Sequence, residues 1–239
     1  TNCTNESKKG VSGISDSSFT FVFLTDIHLF PAKHAPEGFQ KAIDTINKMN
    51  PDFVITGGDQ IMDALGQSFE RADSLYKLYN QYASEFNMPV HNTLGNHEVF
   101  GLYESSGVDP SHPLYSENMF QERIGEKHYS FDHKGWHFMV LDAVEETKQR
   151  SYVGYIDSAQ IEWIKEDLKQ IEKTTPIAIS VHIPFLTVYP EISQGSLTSN
   201  SRGTVINNGK EVLELFESFN LKLVLQGHLH FLEDIYANG

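Results

Sequence analysis

The chain contains a single cysteine, Cys3, in 239 residues. One thiol excludes an intrachain disulfide and any thiolate metal cluster. Long apolar runs are missing too. No stretch reaches 18 apolar residues, so no membrane-spanning helix is expected. Positive charge is scarce: 18 Lys and Arg stand against 32 Asp and Glu, a net charge of −14, with no basic cluster. Surfaces that bind nucleic acid work by neutralising phosphates, so a nucleic-acid partner is disfavoured. A local positive site is still allowed, because bound divalent ions outweigh nearby carboxylates.

Residues 1–18 are rich in Ser, Thr, Asn, Lys and Gly and read as a flexible polar leader. No apolar signal core precedes them. A cysteine on a polar tether suits a lipid anchor at Cys3, and with it an exported, periplasmic or membrane-attached protein. Without the anchor a cytoplasmic place is expected. Asn2-Cys-Thr4 and Asn5-Glu-Ser7 match the glycosylation pattern, which recurs by chance in such tails.

Residues 19–239 have the size of one domain with a full core, and 39% apolar content is ordinary. Short apolar segments at 19–24, 52–56, 90–94, 177–181 and 221–225 read as strands. Helical spacing covers 38–49 and 68–86. Asp157-Ser-Ala-Gln160 and Asn208-Gly-Lys-Glu211 have the form of capping boxes opening further helices. Segments 127–131 and 136–141 form a hairpin with Gly135 in its turn. One more strand is expected over 231–236, with further sheet sequence beyond residue 239. The alternation is that of an α/β fold, in which ligands gather past the carboxyl ends of the strands.

Polar clusters stand at just those ends: Asp26-Ile-His28, Gly57-Gly-Asp59, Gly95-Asn-His-Glu98, His182 and Gly227-His-Leu-His230. Taken singly, each has a plain reading. Asp26 and Asp59 could be turn residues, His28 and His182 could bond to loops or strand edges, and Asn96-His97 could be a simple turn. Taken together they supply oxygen and imidazole donors without sulfur, which suits manganese, iron or zinc. Seven donors exceed what one ion needs. Two ions bridged by a carboxylate use them economically, and Asp59, alone after two glycines, suits the bridge. Two ions 3.5–4 Å apart can hold a hydroxide and neutralise a phosphoryl group. His97 lies beside the ligand Asn96 and so points elsewhere, as a proton donor to the leaving oxygen or a phosphate contact. Tyr103, Tyr115 and Phe120, in the long 99–126 loop, could stack on a nucleobase or seal a core, the second being favoured. Arg202 could touch a phosphate or stand in solvent, again with the plainer reading favoured. His34 and His112 are conceivable pocket residues.

These motifs, in this order over residues 26–230, resemble the calcineurin-like metallophosphoesterases. The resemblance implies a four-layer αββα sandwich of two mixed β-sheets flanked by helices. It implies two divalent or mixed-valence metal ions (Mn, Fe or Zn). Asp26, His28, Asp59 and His230 would hold one, and Asp59, Asn96, His182 and His228 the other. His97 matches the catalytic histidine. The purple acid phosphatase branch carries a Tyr three residues after the bridging Asp and lacks the Asp-x-His pair; here Met62 stands there and His28 is present. The pattern is closer to the cyclic-nucleotide phosphodiesterase-like branch. Many relatives orient the catalytic histidine with an Asp at the Met62 place. Here Asp63 comes one residue late, so Asp63 or Glu98 is expected to support His97. The expected reaction is hydrolysis of a small phosphodiester by a metal-bound hydroxide. The alternatives are a phosphomonoesterase, a nuclease with the same chemistry, or a metal-bound binding protein without turnover.

Overall fold

Alternation along the first strands decides how the layers stack. The computed structural model describes residues 18–236. In β1 (Phe21–Leu24) and β2 (Phe53–Thr56), Phe21, Phe23, Phe53 and Ile55 point to one side, and Val22, Leu24 and Val54 to the other. β3 (Val90–Asn92) completes a parallel sheet in the order β1-β2-β3. Its crossovers are α1 (Ala35–Met49) and α2 (Phe69–Ala83), the second capped by Ser68, which accepts from Arg71 N. They pack together through Phe39 and Tyr79, and Tyr79 Oη also donates to Asn92 Oδ1 at 2.5 Å.

A short α3 (Asn118–Arg123) leads to the hairpin of β4 (Tyr129–His133) and β5 (Trp136–Leu141). Its turn is Lys134-Gly135, with φ of 44° and 83°. Both central residues are left-handed, which matches the twist of the strands. A small ribbon of β6 (Val144–Glu146) and β7 (Tyr152–Gly154) follows, then α4 (Ser158–Leu168) and β8 (Pro176–Val181). The remaining elements are α5 (Tyr189–Gln194), α6 (Gly209–Glu214) and β9 (Asn220–Gln226). The second sheet runs β4-β5-β8-β9 and is mixed, whereas the first is parallel throughout. The two sheets meet in an aromatic seam. Phe21 stacks on Phe53 at 5.3 Å, and Phe53 meets Phe138 edge-on at 5.2 Å. Helices cover the outer faces, as the α/β sandwich expectation has it.

Several local expectations fail for identifiable reasons. Asp157 does cap α4, accepting from Gln160 N at 2.7 Å. The Gln160 side chain does not reciprocate: it is buried and pairs with Asp142 N and O at 2.9 and 2.7 Å. Asn208 caps nothing, because its amide pairs with both backbone groups of Ile156 at 3.1 and 2.9 Å. Residues 231–236 form no strand. Glu233 there accepts instead from Thr187 Oγ1 and, at 3.1 Å, from Val188 N. The leader and Cys3 lie outside the described residues, Ser18 apart. Among the described residues no helix is long and apolar enough to cross a membrane.

The second sheet is tied to α4 by a buried histidine. His137 Nδ1 lies 2.8 Å from Asp132 and Nε2 2.9 Å from Asp167. Burial opposes a charge on this ring, but the Asp167 and Asp132 carboxylates outweigh it and raise its pKa above 6.5. A raised histidine stabilises fully below its unfolded value near 6.5, and the contribution is lost as pH rises through the folded value. Urea unfolding of wild type and His137→Gln should therefore differ most at acidic pH and converge toward alkaline pH. A gap that is the same at every pH would contradict the charged clamp.

Candidate metal centre

Five strand ends converge where backbone pairing outlasts the strands themselves. Asp26 N donates to Gly58 O at 3.1 Å, and His28 N to Asp59 O at 2.9 Å. Gly227 N donates to His182 O at 3.0 Å, and His228 N to Asp26 Oδ1 at 3.0 Å. Asp26, His28, Asp59, His228 and His230 all have left-handed backbones, with φ between 47° and 77°. For residues with a Cβ this conformation costs of order 1–2 kcal/mol each. Five of the eleven non-glycine residues with positive φ among the described residues thus lie around this one point. Close approach also demands glycine. Gly95 lies against the Asp59 amide and carboxylate, and Gly58, with φ of 94°, against the His182 ring. A Cβ at either place would collide.

The side chains form two groups that share one carboxylate. Asp26, His28, Asp59 and His230 offer donor atoms within 4.8 Å of one another, and so do Asp59, His182 and His228. In the first group, His28 Nε2 and His230 Nε2 face each other at 2.8 Å, and His230 Nε2 is 3.3 Å from Asp26 Oδ1. In the second, His182 Nε2 stands 3.1 Å from Asp59 Oδ2. Asp59 is almost fully buried, and its Oδ1 accepts from His97 N at 3.0 Å.

Backbone carbonyls fix which ring nitrogen two of the histidines turn to the site. His182 Nδ1 pairs with Gly57 O at 2.8 Å, which puts one proton there and turns Nε2 toward the Asp59 carboxylate. His228 does the reverse: Nε2 pairs with Gly203 O at 2.9 Å, leaving Nδ1. His228 Nδ1 and Asn96 Oδ1 are buried without a hydrogen-bond partner among the described residues, and His182 Nε2 faces only the Asp59 carboxylate. Orphaned buried acceptors of this kind are costly unless something binds them. Burial, followed by the neighbouring His182, pushes His228 down to about 4, so its ring is neutral. Burial also lowers His28. Burial works against a charge on His182, but the Asp59 carboxylate lifts it to about 9. Asp59 in turn is held well below the usual carboxylate range: His182 and His97 overcome its burial. A divalent ion would take the place of that proton between His182 and Asp59. Nitrogen and oxygen donors converging in two groups that share one carboxylate fit two such ions.

Residues 19–232 match the family profile described as calcineurin-like phosphoesterase. The chain belongs to this family. As a calcineurin-like phosphoesterase it is a phosphoric ester hydrolase of a family that uses dinuclear metal centres. Solved structures share the fold at low identity. A dimetal phosphatase from Danio rerio is 16% identical, with a TM-score of 0.63 over 89% of this chain and 82% of that one. A purple acid phosphatase from yellow lupin seeds (Lupinus luteus) is 14% identical, with a TM-score of 0.54 over 90% of this chain and 38% of the lupin chain. GAP50, the anchor in the inner membrane complex of Plasmodium, is 16% identical, with a TM-score of 0.51 over 87% and 65%. No curated protein matches the chain significantly.

Within this phosphoesterase the support of His97 differs from both sequence candidates. Asp63 accepts from Leu65 N at 2.8 Å and Gln67 Nε2 at 3.1 Å, so it closes its own turn. Glu98 is fully buried and accepts from Asp59 N, Gly95 N and Ile61 N at 2.9, 2.8 and 3.1 Å. Its carboxylate joins the β2 and β3 loops. Burial and the Asp59 charge push it up to about 8 against those three donors. His97 Nδ1 instead meets the carbonyl of Met62, and its Nε2 lies 3.8 Å from Asp59 Oδ2. The remaining candidates disperse. Tyr115 and Phe120 are buried in the core, and His112 packs on Phe69 and Phe100. His34 is on the surface beside Glu37, and the Arg202 side chain is exposed. Only Tyr103 of the three loop aromatics is half-exposed.

Glu98→Ala should be among the most destabilising single changes in the chain. It strips three buried N–H groups of their acceptor, each worth about 1–3 kcal/mol. Chemical denaturation of the metal-free protein should register a loss of about 3 kcal/mol or more. A loss under about 1 kcal/mol would mean that the loops hold Asp59 without it.

Proposed function

We propose that this phosphoesterase hydrolyses a small phosphodiester at a pair of metal ions bridged by Asp59. In this reading Asp26, His28, Asp59 and His230 hold one ion, and Asp59, Asn96, His182 and His228 the other. The observation that carries it is the membership of Asp59 in both donor groups. Once bound, two such ions lower the pKa of an intervening water and neutralise the phosphoryl oxygens. The chain's own residues do the rest. Gly57 O and Gly203 O fix the tautomers of His182 and His228, so that lone pairs rather than protons face the site. Met62 O holds the Nδ1 proton of His97 and turns Nε2 inward. From there a proton on Nε2 passes to the leaving alcohol oxygen as its bond to phosphorus breaks and the water oxygen bonds on the opposite side. The preference for a diester rests on the Asp-x-His pair and on Met62, a pattern resembling the cyclic-nucleotide phosphodiesterase-like branch. The zebrafish and lupin proteins are both named phosphatases, which favours a second reading, a phosphomonoesterase.

Hydrolysis of bis(p-nitrophenyl) phosphate and p-nitrophenyl phosphate by one manganese-supplied sample, repeated with a chelator, separates these. Faster, chelator-sensitive release from the diester supports the proposal. Faster release from the monoester overturns it in favour of the phosphatase. Release that survives the chelator overturns the metal dependence of both.

A further inference from the structure

We propose that Tyr103 and Tyr152 are substrate-binding residues, their phenol hydroxyls donating hydrogen bonds to the phosphoryl oxygens of the ester. This rests on the phosphoester reading of the site and extends it to groups beyond the metal ligands.

The two tyrosines come from separate segments that border the loops of the candidate metal centre. Tyr152, on β7, sets its ring 6.2 Å from that of His228, edge to face. It flanks Gly203, whose carbonyl holds His228 Nε2. A Cβ on Gly203 would lie 3.8 Å from Tyr152 Cε2. Tyr103 is anchored beside the loop that carries Asp59: its N donates to Leu65 O at 2.8 Å, and its ring borders Gly66. An ordinary phenol titrates at about 10, so both are protonated donors at neutral pH.

Among the described residues four tyrosine hydroxyls are engaged by the protein itself. Tyr76 donates to Glu98 O, Tyr79 to Asn92 Oδ1, Tyr115 to Glu146 Oε1 and Tyr129 to Asn92 O. Tyr103 and Tyr152 are half-buried, and among the described residues neither hydroxyl has a hydrogen-bond partner. A phenol beside a polar site usually finds one, and an incoming anion supplies it.

One guanidinium fixes the two relative to each other. Arg150, two residues before Tyr152, donates from Nε to Leu102 O at 3.0 Å, and from Nη2 to Gly101 O and Val108 O at 2.6 and 2.9 Å. Leu102 directly precedes Tyr103. The loop over 99–117 and the β6–β7 ribbon are thus locked as one wall, which is what positioning a phosphoryl group requires.

The test uses Tyr103→Phe, Tyr152→Phe and the double variant in the manganese-loaded full chain. Binding of inorganic phosphate is read by calorimetry beside manganese content and thermal midpoint. Each single variant should weaken phosphate binding about tenfold and the double about a hundredfold, as expected for hydrogen bonds to a charged acceptor. Manganese content and midpoint should not move. Phosphate binding equal to wild type in the double variant overturns the proposal and leaves the metal-centre reading intact. Loss of binding accompanied by loss of manganese or a lowered midpoint overturns it as well, making the phenols structural. If wild type itself binds no phosphate with two ions loaded, both the proposal and the phosphoester reading fall.

Discussion

Asp59→Asn is expected to remove hydrolysis to below about a thousandth of the wild-type rate and to lower metal content with it. The carboxylate belongs to both donor groups, so no other single change reaches both. The asparagine is nearly the same size, and its Oδ1 can still accept from His97 N as Asp59 does at 3.0 Å. What disappears is the negative charge that holds His182 and faces both groups of donors. Metal analysis after gel filtration, alongside rates on both nitrophenyl esters, checks this. A variant that keeps two ions and most of its rate would remove Asp59 from the bridge. Folding is a separate axis: manganese should raise the thermal midpoint of wild type, since binding to the native state alone stabilises it, and should leave that of the variant nearly unmoved.

His97→Asn should behave in the opposite way with respect to metal. His97 is absent from both donor groups, and its Nδ1 is occupied by the Met62 carbonyl. Manganese content should therefore stay at the wild-type level while kcat falls by about 10²–10⁴, the usual range for removing a general acid. The fall should be smaller for an ester whose leaving group is a good one, such as p-nitrophenolate, than for an alkyl ester, because a weakly basic leaving oxygen needs less protonation. An equal loss on both kinds of ester would reassign His97 to phosphate binding. Full turnover without His97 would end its proposed role.

The candidate metal donors were legible in the sequence because each sits within a few residues of an apolar run. A strand, a glycine turn and a polar side chain are all local features, and Asp26, His28, Asp59, His182, His228 and His230 were found on that basis. These six converge in two groups that share Asp59, and Asn96, proposed with them, has a buried oxygen without a hydrogen-bond partner among the described residues. The support of His97 was not legible. It comes from a main-chain carbonyl, which every residue possesses and no sequence letter marks, so attention fell on Asp63 and Glu98. Both turned out to serve loop backbone instead. Long-range competition explains the other misses. Gln160 and Asn208 carry the letters of capping boxes, but Asp142 and Ile156 claim their amides from 18 and 52 residues away. The β6–β7 ribbon has strands of three residues each, too short for periodicity to register. With it went Tyr152, whose place beside His228 depends on a contact 76 residues distant in the chain.

The most direct test of a two-ion centre bridged by one carboxylate is metal stoichiometry. Chelator-treated protein is titrated with manganese by calorimetry, and the bound metal is then counted per chain. The account predicts two ions per chain in the wild type, with saturation accompanied by the onset of phosphoester hydrolysis. A plateau at one ion, or full hydrolysis already present at one, would contradict it.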